Sequence, residues 1–148
     1  MSNSIKTDDV IFNFFKQICD EKDDQKCVEL GNSWINAMET NLDKSILMNT
    51  NLSNGNFAEA SFFRANLYEA NLEGGNFEKP NFTSANLTRV NFKGSSLIEA
   101  NFKDSNLFGS DFTGANITNA SFEGANLNNS IWIDGAKCNL GSIGVCKK

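Results

Sequence analysis

From Leu42 to Leu127 a large apolar residue stands at every fifth position, eighteen times in succession without a miss. The series runs Leu42, Leu47, Leu52, Phe57, Phe62, Leu67, Leu72, Phe77, Phe82, Leu87, Phe92, Leu97, Phe102, Leu107, Phe112, Ile117, Phe122 and Leu127. Two residues before each stands a small one: eight Ala, four Ser, two Thr and two Gly, with only Pro80 and Val90 departing. Between the two sits Asn in 13 of the 18 units, as in Ala65-Asn66-Leu67 and Ala125-Asn126-Leu127. Neither straight element accommodates this period. Five residues turn an α-helix by about 500°, so the apolar position would spiral around every side. In a flat strand an odd step sends alternate copies to opposite faces. The small and large residues, however, are two apart and share one face of an extended segment. A short extended piece with both inward, then a turn, then the next piece satisfies the pattern. A chain bent the same way every five residues closes into a coil.

The side chains themselves sort the closure. If four units close a coil, residues twenty apart stack, and one column reads Leu42, Phe62, Phe82, Phe102, Phe122 while the next reads Leu47, Leu67, Leu87, Leu107, Leu127. Leu52, Leu72, Phe92 and Phe112 form a third, and Phe57, Phe77, Leu97 and Ile117 a fourth. Three units per coil would stack residues fifteen apart and mix Leu with Phe in every column. Four is the better sorting. At strand spacing of about 4.8 Å, about four and a half coils span roughly 22 Å.

The chain is 148 residues long, one domain's worth, with 13 Lys plus Arg against 18 Asp plus Glu. A net charge of −5 argues against a nucleic-acid binder, which needs clustered positive charge. His is absent, removing the commonest general base and transition-metal ligand. No stretch approaches the roughly 20 apolar residues of a membrane span. Nor does Met1-Ser-Asn-Ser-Ile-Lys-Thr-Asp-Asp carry the apolar run of a signal peptide; Met1 is either a native start or one that replaced a removed leader. The four cysteines form two equally spaced pairs, Cys19/Cys27 and Cys138/Cys146, without the CxxC of a zinc or redox motif.

The tandem motif resembles that of the pentapeptide-repeat family, Ala-(Asp/Asn)-Leu-x-x, over residues 40–129. The resemblance implies an all-β solenoid, a right-handed quadrilateral β-helix with four pentapeptides per coil and the large and small residues inward. Ile46 replaces the polar middle residue, Val90 is bulky at a small position, and Pro80 is expected to remove a backbone donor from the ladder. An open coil exposes an apolar cross-section and unpaired edges, so both ends need covers. Residues 1–39 read as a helical cap and lead-in: Thr7-Asp8-Asp9 starts a capping helix over residues 8–19, with Val10, Ile11, Phe14, Phe15 and Ile18 as its stripe. Residues 28–39, with Trp34, Ile35 and Met38, then lead into the first coil. Residues 130–148 are the C-terminal cap of the same single domain. Its run from Trp132-Ile-Asp-Gly to Gly-Ser-Ile-Gly-Val-Cys146 resembles the tail of family members in which a disulfide closes the coil, many of them lumenal or periplasmic. That resemblance implies a Cys138–Cys146 bridge, with two reduced, buried cysteines as the alternative. Cys19 and Cys27 are a second candidate pair, with free thiols the equal alternative. Ile143 and Val145 are expected to plug the last coil. The compartment expected is the periplasm or thylakoid lumen, assuming a removed signal peptide, with the cytoplasm as the alternative.

Chemistry is hard to place. Outward carboxylates such as Glu69, Glu73 and Glu78 suit an acid–base pair in type, but without a nucleophile, a His or a cleft-forming insertion they read as a solvated face. Asn54-Gly55 and Glu73-Gly74-Gly75 are turns, not phosphate loops, because no GxxxxGK follows. The Asn column reads as turn and edge hydrogen bonding, and the Phe column as core. No catalytic, cofactor-binding or metal-binding residue is therefore assigned, and no cofactor is expected. The expected role is a non-catalytic structural or protein-interaction module that meets an unidentified protein through outward residues such as Tyr68, Glu69, Arg89 and Lys103. No nucleic-acid partner is expected. The alternative that the resemblance implies is a DNA mimic acting on a type II topoisomerase such as gyrase. Mimicry needs dense negative charge, whereas residues 40–129 carry nine acidic and six basic side chains.

Overall fold

The computed structural model describes residues 37–148. The expected helix over 8–19, the Cys19/Cys27 pair and Trp34 lie outside the described residues. From residue 37 to residue 114 one hydrogen-bonding scheme repeats every five residues, and the third coil illustrates it. The Asn86 amide donates back to the Ala65 carbonyl (2.9 Å), while the Leu87 and Arg89 amides donate forward to Asn106 (2.8 Å) and Phe108 (2.9 Å). The Val90 amide closes the turn onto Leu87 (3.2 Å). That leaves Thr88, whose amide donates to the Asn86 side-chain oxygen (3.2 Å). All five amides of the unit thus have acceptors, as buried or half-buried backbone requires. The middle Asn supplies the one acceptor that the backbone cannot. The same contact recurs at Asn41, Asn71, Asn81, Asn101 and Asn116.

Each turn has positive φ only at its second central residue, the type II geometry. Fourteen non-glycine residues hold φ between 52° and 60° there, Arg64, Lys79 and Arg89 among them. That backbone region costs an L residue roughly 1 kcal/mol, so the twist is imposed by the ladder and not by local preference. Pro80 does less harm than expected. It occupies the small position, whose amide closes a turn, so the bond it removes is the turn's; its carbonyl still accepts from Asn101 in the ladder (3.0 Å). Val90 is fully buried and closes its turn normally.

Parallel bridges join residues twenty apart, from Asn41 with Ser61 through to Asp111 with Ile131. One coil of this β-solenoid is therefore four units, and the fifteen-residue register is absent among the described residues. The Phe column stacks accordingly: ring centroids are 4.9 Å apart for Phe62–Phe82, 5.2 Å for Phe82–Phe102 and 4.9 Å for Phe102–Phe122. From Phe62 to Ile117 each coil turns two aromatic and two aliphatic residues inward, conserving layer volume. The second aromatic switches column, from Phe57 and Phe77 to Phe92 and Phe112, where the two stacks meet edge to face. Gly55 and Gly75 follow from the first arrangement, because a Cβ at either would lie 2.4 Å from the ring of Phe57 or Phe77.

At the C-terminal end Trp132 packs on Phe112 (5.6 Å) and Phe122 (5.3 Å), and the chain then turns back. Antiparallel bridges join Asn126 with Ile143 and Ile131 with Lys137. A Cys138–Cys146 disulfide pins this return, with Cys138 fully buried. The expected plug is not there. Ile143 and Val145 are 52% and 59% exposed, because the tail covers the coil with backbone groups: the Leu127 amide donates to Ser142 (2.8 Å) and Asn129 to Cys138 (2.9 Å).

Candidate interaction surface

With the inward positions consumed by the core, the outward groups are the middle residue and the two turn residues of each unit. Stacking at twenty residues places them on four corners. Glu69, Glu73 and Glu78 fall on three different corners and do not converge. Glu69 pairs with Arg89 one coil on (3.2 Å). Glu73 accepts from the Asn91 amide group (3.1 Å), and Glu78 from the Ser96 hydroxyl (3.4 Å). Lys103 pairs with Glu123 in the same way (3.2 Å), and Lys93 with Asp111 (3.3 Å). The four outward residues picked from sequence are thus split: Tyr68, Glu69 and Arg89 share one corner, and Lys103 lies on the corner before it.

The electrostatics follow these pairs. The hydrogen bond to Glu69, with the Tyr68 hydroxyl behind it, raises Arg89 above its ordinary value. Burial by itself would raise Asp111, but hydrogen bonds from the Thr113 hydroxyl and amide, together with Lys93, outweigh it and hold the carboxyl below its usual range. Lys148 and the Ala136 amide lower Asp134 likewise. Among the described residues no group of three acidic or cysteine side chains is placed to hold a metal ion. No helix there is long and apolar enough to cross a membrane.

Three aromatic side chains of the repeats point outward: Phe63, Tyr68 and Phe108. Phe63 stands on the corner before the second column and carries Arg64 over its ring at 5.1 Å. Tyr68 and Phe108 stand on the corner after it, two coils apart, and all three are half-buried. They flank one side of the coil, together with Ile46 and the exposed Met48. Phe63 and Phe108 belong to no five-residue series in the sequence. The twenty-residue stacking of the coils brings them together.

A short-period β-solenoid with a solvated, ion-paired exterior is the class that this fold and surface define. The family model for pentapeptide repeats matches in eight copies, over residues 45–83, 81–114 and 95–131. The chain belongs to the pentapeptide-repeat family. Among curated proteins no sequence matches it. Of solved structures it is similar to HetL, a pentapeptide-repeat protein involved in heterocyst differentiation regulation from the cyanobacterium Nostoc sp. strain PCC 7120, with a TM-score of 0.54 and 21% identity over 69% of this chain and 61% of HetL. It is also similar to QnrB1, a plasmid-mediated fluoroquinolone resistance protein. The trypsin-treated form gives a TM-score of 0.51 and 21% identity over 61% of this chain and 46% of that one. Full-length QnrB1 gives 0.51 and 16% over 66% and 57%. The chain therefore spans about half to three fifths of these relatives. At such identities the likeness is one of fold.

Proposed function

We propose that this protein is a non-catalytic interaction module, a right-handed quadrilateral β-helix over residues 40–129 that presents outward side chains to a protein partner. Residues 1–39 and 130–148 act as its two covers. One observation carries the reading. Every large inward residue from Leu47 to Phe112 is at most 5% exposed, while the outward charges are dispersed over separate corners and three of the six basic ones pair with acids between coils. Core and surface chemistry are separated, so the surface is free to vary without unfolding the rod. The side flanked by Phe63, Tyr68 and Phe108 is the preferred contact, because half-buried aromatics supply contact area at small entropic cost. The Cys138–Cys146 disulfide supports an oxidising compartment such as the periplasm or thylakoid lumen.

DNA mimicry of the gyrase-directed kind is the rival reading, and it is disfavoured by the pairing of Arg89, Lys93 and Lys103 with acids. Those pairs, with Lys44, Arg64 and Lys79 interspersed among the remaining acids, break up what would otherwise be a continuous negative stripe. The test is a pull-down from the native compartment with one corner replaced at a time. Tyr68→Ala with Phe108→Ala should abolish capture at unchanged melting temperature. Capture lost only in variants that unfold would contradict a face-specific role. Strong inhibition of gyrase supercoiling, or protection from quinolones, at micromolar protein would establish the rival.

A further inference from the structure

The C-terminal cover is half a cover. In every earlier coil each unit meets the next through two donated bonds and one accepted bond: the large residue and the second turn residue donate forward, and the small residue's carbonyl accepts. The tail satisfies this set for the last two sides of the final coil. Leu127 and Asn129 donate to Ser142 and Cys138, and the Ala125 and Ser130 carbonyls accept from Gly144 (2.9 Å) and Cys138 (2.8 Å). For the two sides before them no backbone ladder follows among the described residues, although Gly144 stands beside the Phe122–Gly124 turn. Asn116 and Ser121 have bridges only to the preceding coil. Among the described residues, the amides of Ile117, Asn119, Phe122 and Gly124 have no acceptor, and the carbonyls of Ala115 and Ala120 no backbone donor. Packing agrees: Phe122 is 9% exposed where Phe62, Phe82 and Phe102 are 0%, and Ile117 and Ala120 are only partly buried. Beside Phe122 and Gly124 the tail carries the exposed Ile143 and Val145, which flank Gly144.

We propose that this open edge is a docking site for an extended peptide segment of a partner protein, about ten residues long, added in parallel as the missing half-coil. The polarity of the edge selects that occupant. It presents two donors and one acceptor per five residues, so a second copy meeting it antiparallel could exchange the Ile117 amide and Ala115 carbonyl but would leave the Asn119 and Gly124 amides without acceptors. A parallel extended strand presents the complement, two carbonyls and one amide per unit, as each coil of this chain does for the one before. Apolar side chains in the segment would cover Ile117 and Phe122 and lean on Ile143 and Val145, and main-chain bonds would supply affinity as in strand addition generally.

The probe is a synthetic peptide copying residues 95–104, whose Leu97 and Phe102 belong to the columns of Ile117 and Phe122 and whose units already stack in this way. Amide hydrogen exchange of the full chain is followed with and without it. At saturating peptide, exchange at Ile117, Asn119, Phe122 and Gly124 should slow by about tenfold or more. The same peptide N-methylated at its second and seventh residues, which would donate to Ala115 and Ala120, should protect none of them. Unchanged exchange at millimolar peptide would overturn the proposal, as would equal protection by the N-methylated peptide. Protection already present in the free chain overturns it too: if constant with concentration it points to occupation by the chain's own remaining residues, and if rising with concentration to a second copy. Face-specific binding through Tyr68 is scored separately, so either site can fail without the other.

Discussion

Buried hydroxyls at the small positions fold back onto their own turns. Ser95 and Ser110 donate to the Phe92 and Leu107 carbonyls, each at 2.7 Å. The Ser105 hydroxyl, equally buried, has no partner. Urea unfolding should therefore separate them: Ser95→Ala should cost about 1 kcal/mol, whereas Ser105→Ala should be neutral or stabilising by about that amount. Glycine makes a parallel contrast. Gly94 has φ +62° in open space, so Gly94→Ala should cost only the backbone's roughly 1 kcal/mol. Gly75→Ala would set a Cβ 2.4 Å from the Phe77 ring and should cost about 1–3 kcal/mol by overpacking. At this scale the sequence shows which residues are inward but not how they bond. The Asn column was legible as hydrogen bonding; that its oxygen takes the one spare amide of each unit follows only once the ladder is known. Pro80 was misjudged for the same reason, since which amides serve the ladder depends on where each turn begins.

The unit of stability is the coil-to-coil contact, and one such contact titrates. Lys93 and Thr113 hold Asp111 below its ordinary value, and a folded-state value below the unfolded one adds stability that is complete above the unfolded value. It is lost as pH falls through the folded value. Stability measured in urea from neutrality down through the carboxylate range should thus decline, and Asp111→Asn should flatten that decline. The change should be under about 1 kcal/mol, because both partners are partly solvated. The tail is the other element with a clear test. Closing a short loop, the disulfide should contribute about 2–3 kcal/mol, read as the difference in unfolding between the oxidised chain and Cys138→Ser/Cys146→Ser. The Cys138–Cys146 pairing was within reach of the sequence through its resemblance. The exposure of Ile143 and Val145 was not, because an apolar pair near an open core reads as a plug until the backbone is seen to do the covering.

The molecule as a whole is one ladder, in which a fault in any layer is felt by its neighbours. Phe102 stacks between Phe82 and Phe122 and meets Phe92 and Phe112 edge-on, so Phe102→Ala should destabilise by about 3–5 kcal/mol, since adjoining coils cannot collapse into the gap. Architecture at this scale was legible almost entirely from two numbers, a period of five and a sorting at twenty, because a solenoid repeats one solved problem. The partner was not legible, because outward residues are under no packing constraint that would leave a period. All of these arguments rest on the twenty-residue register. Scalar couplings across hydrogen bonds, measured by NMR, report donor and acceptor pairs directly. The register requires a coupling from the Leu87 amide to the Asn106 carbonyl and from Phe82 to Asn101. Couplings from those amides to carbonyls fourteen residues on, the signature of three units per coil, would contradict it.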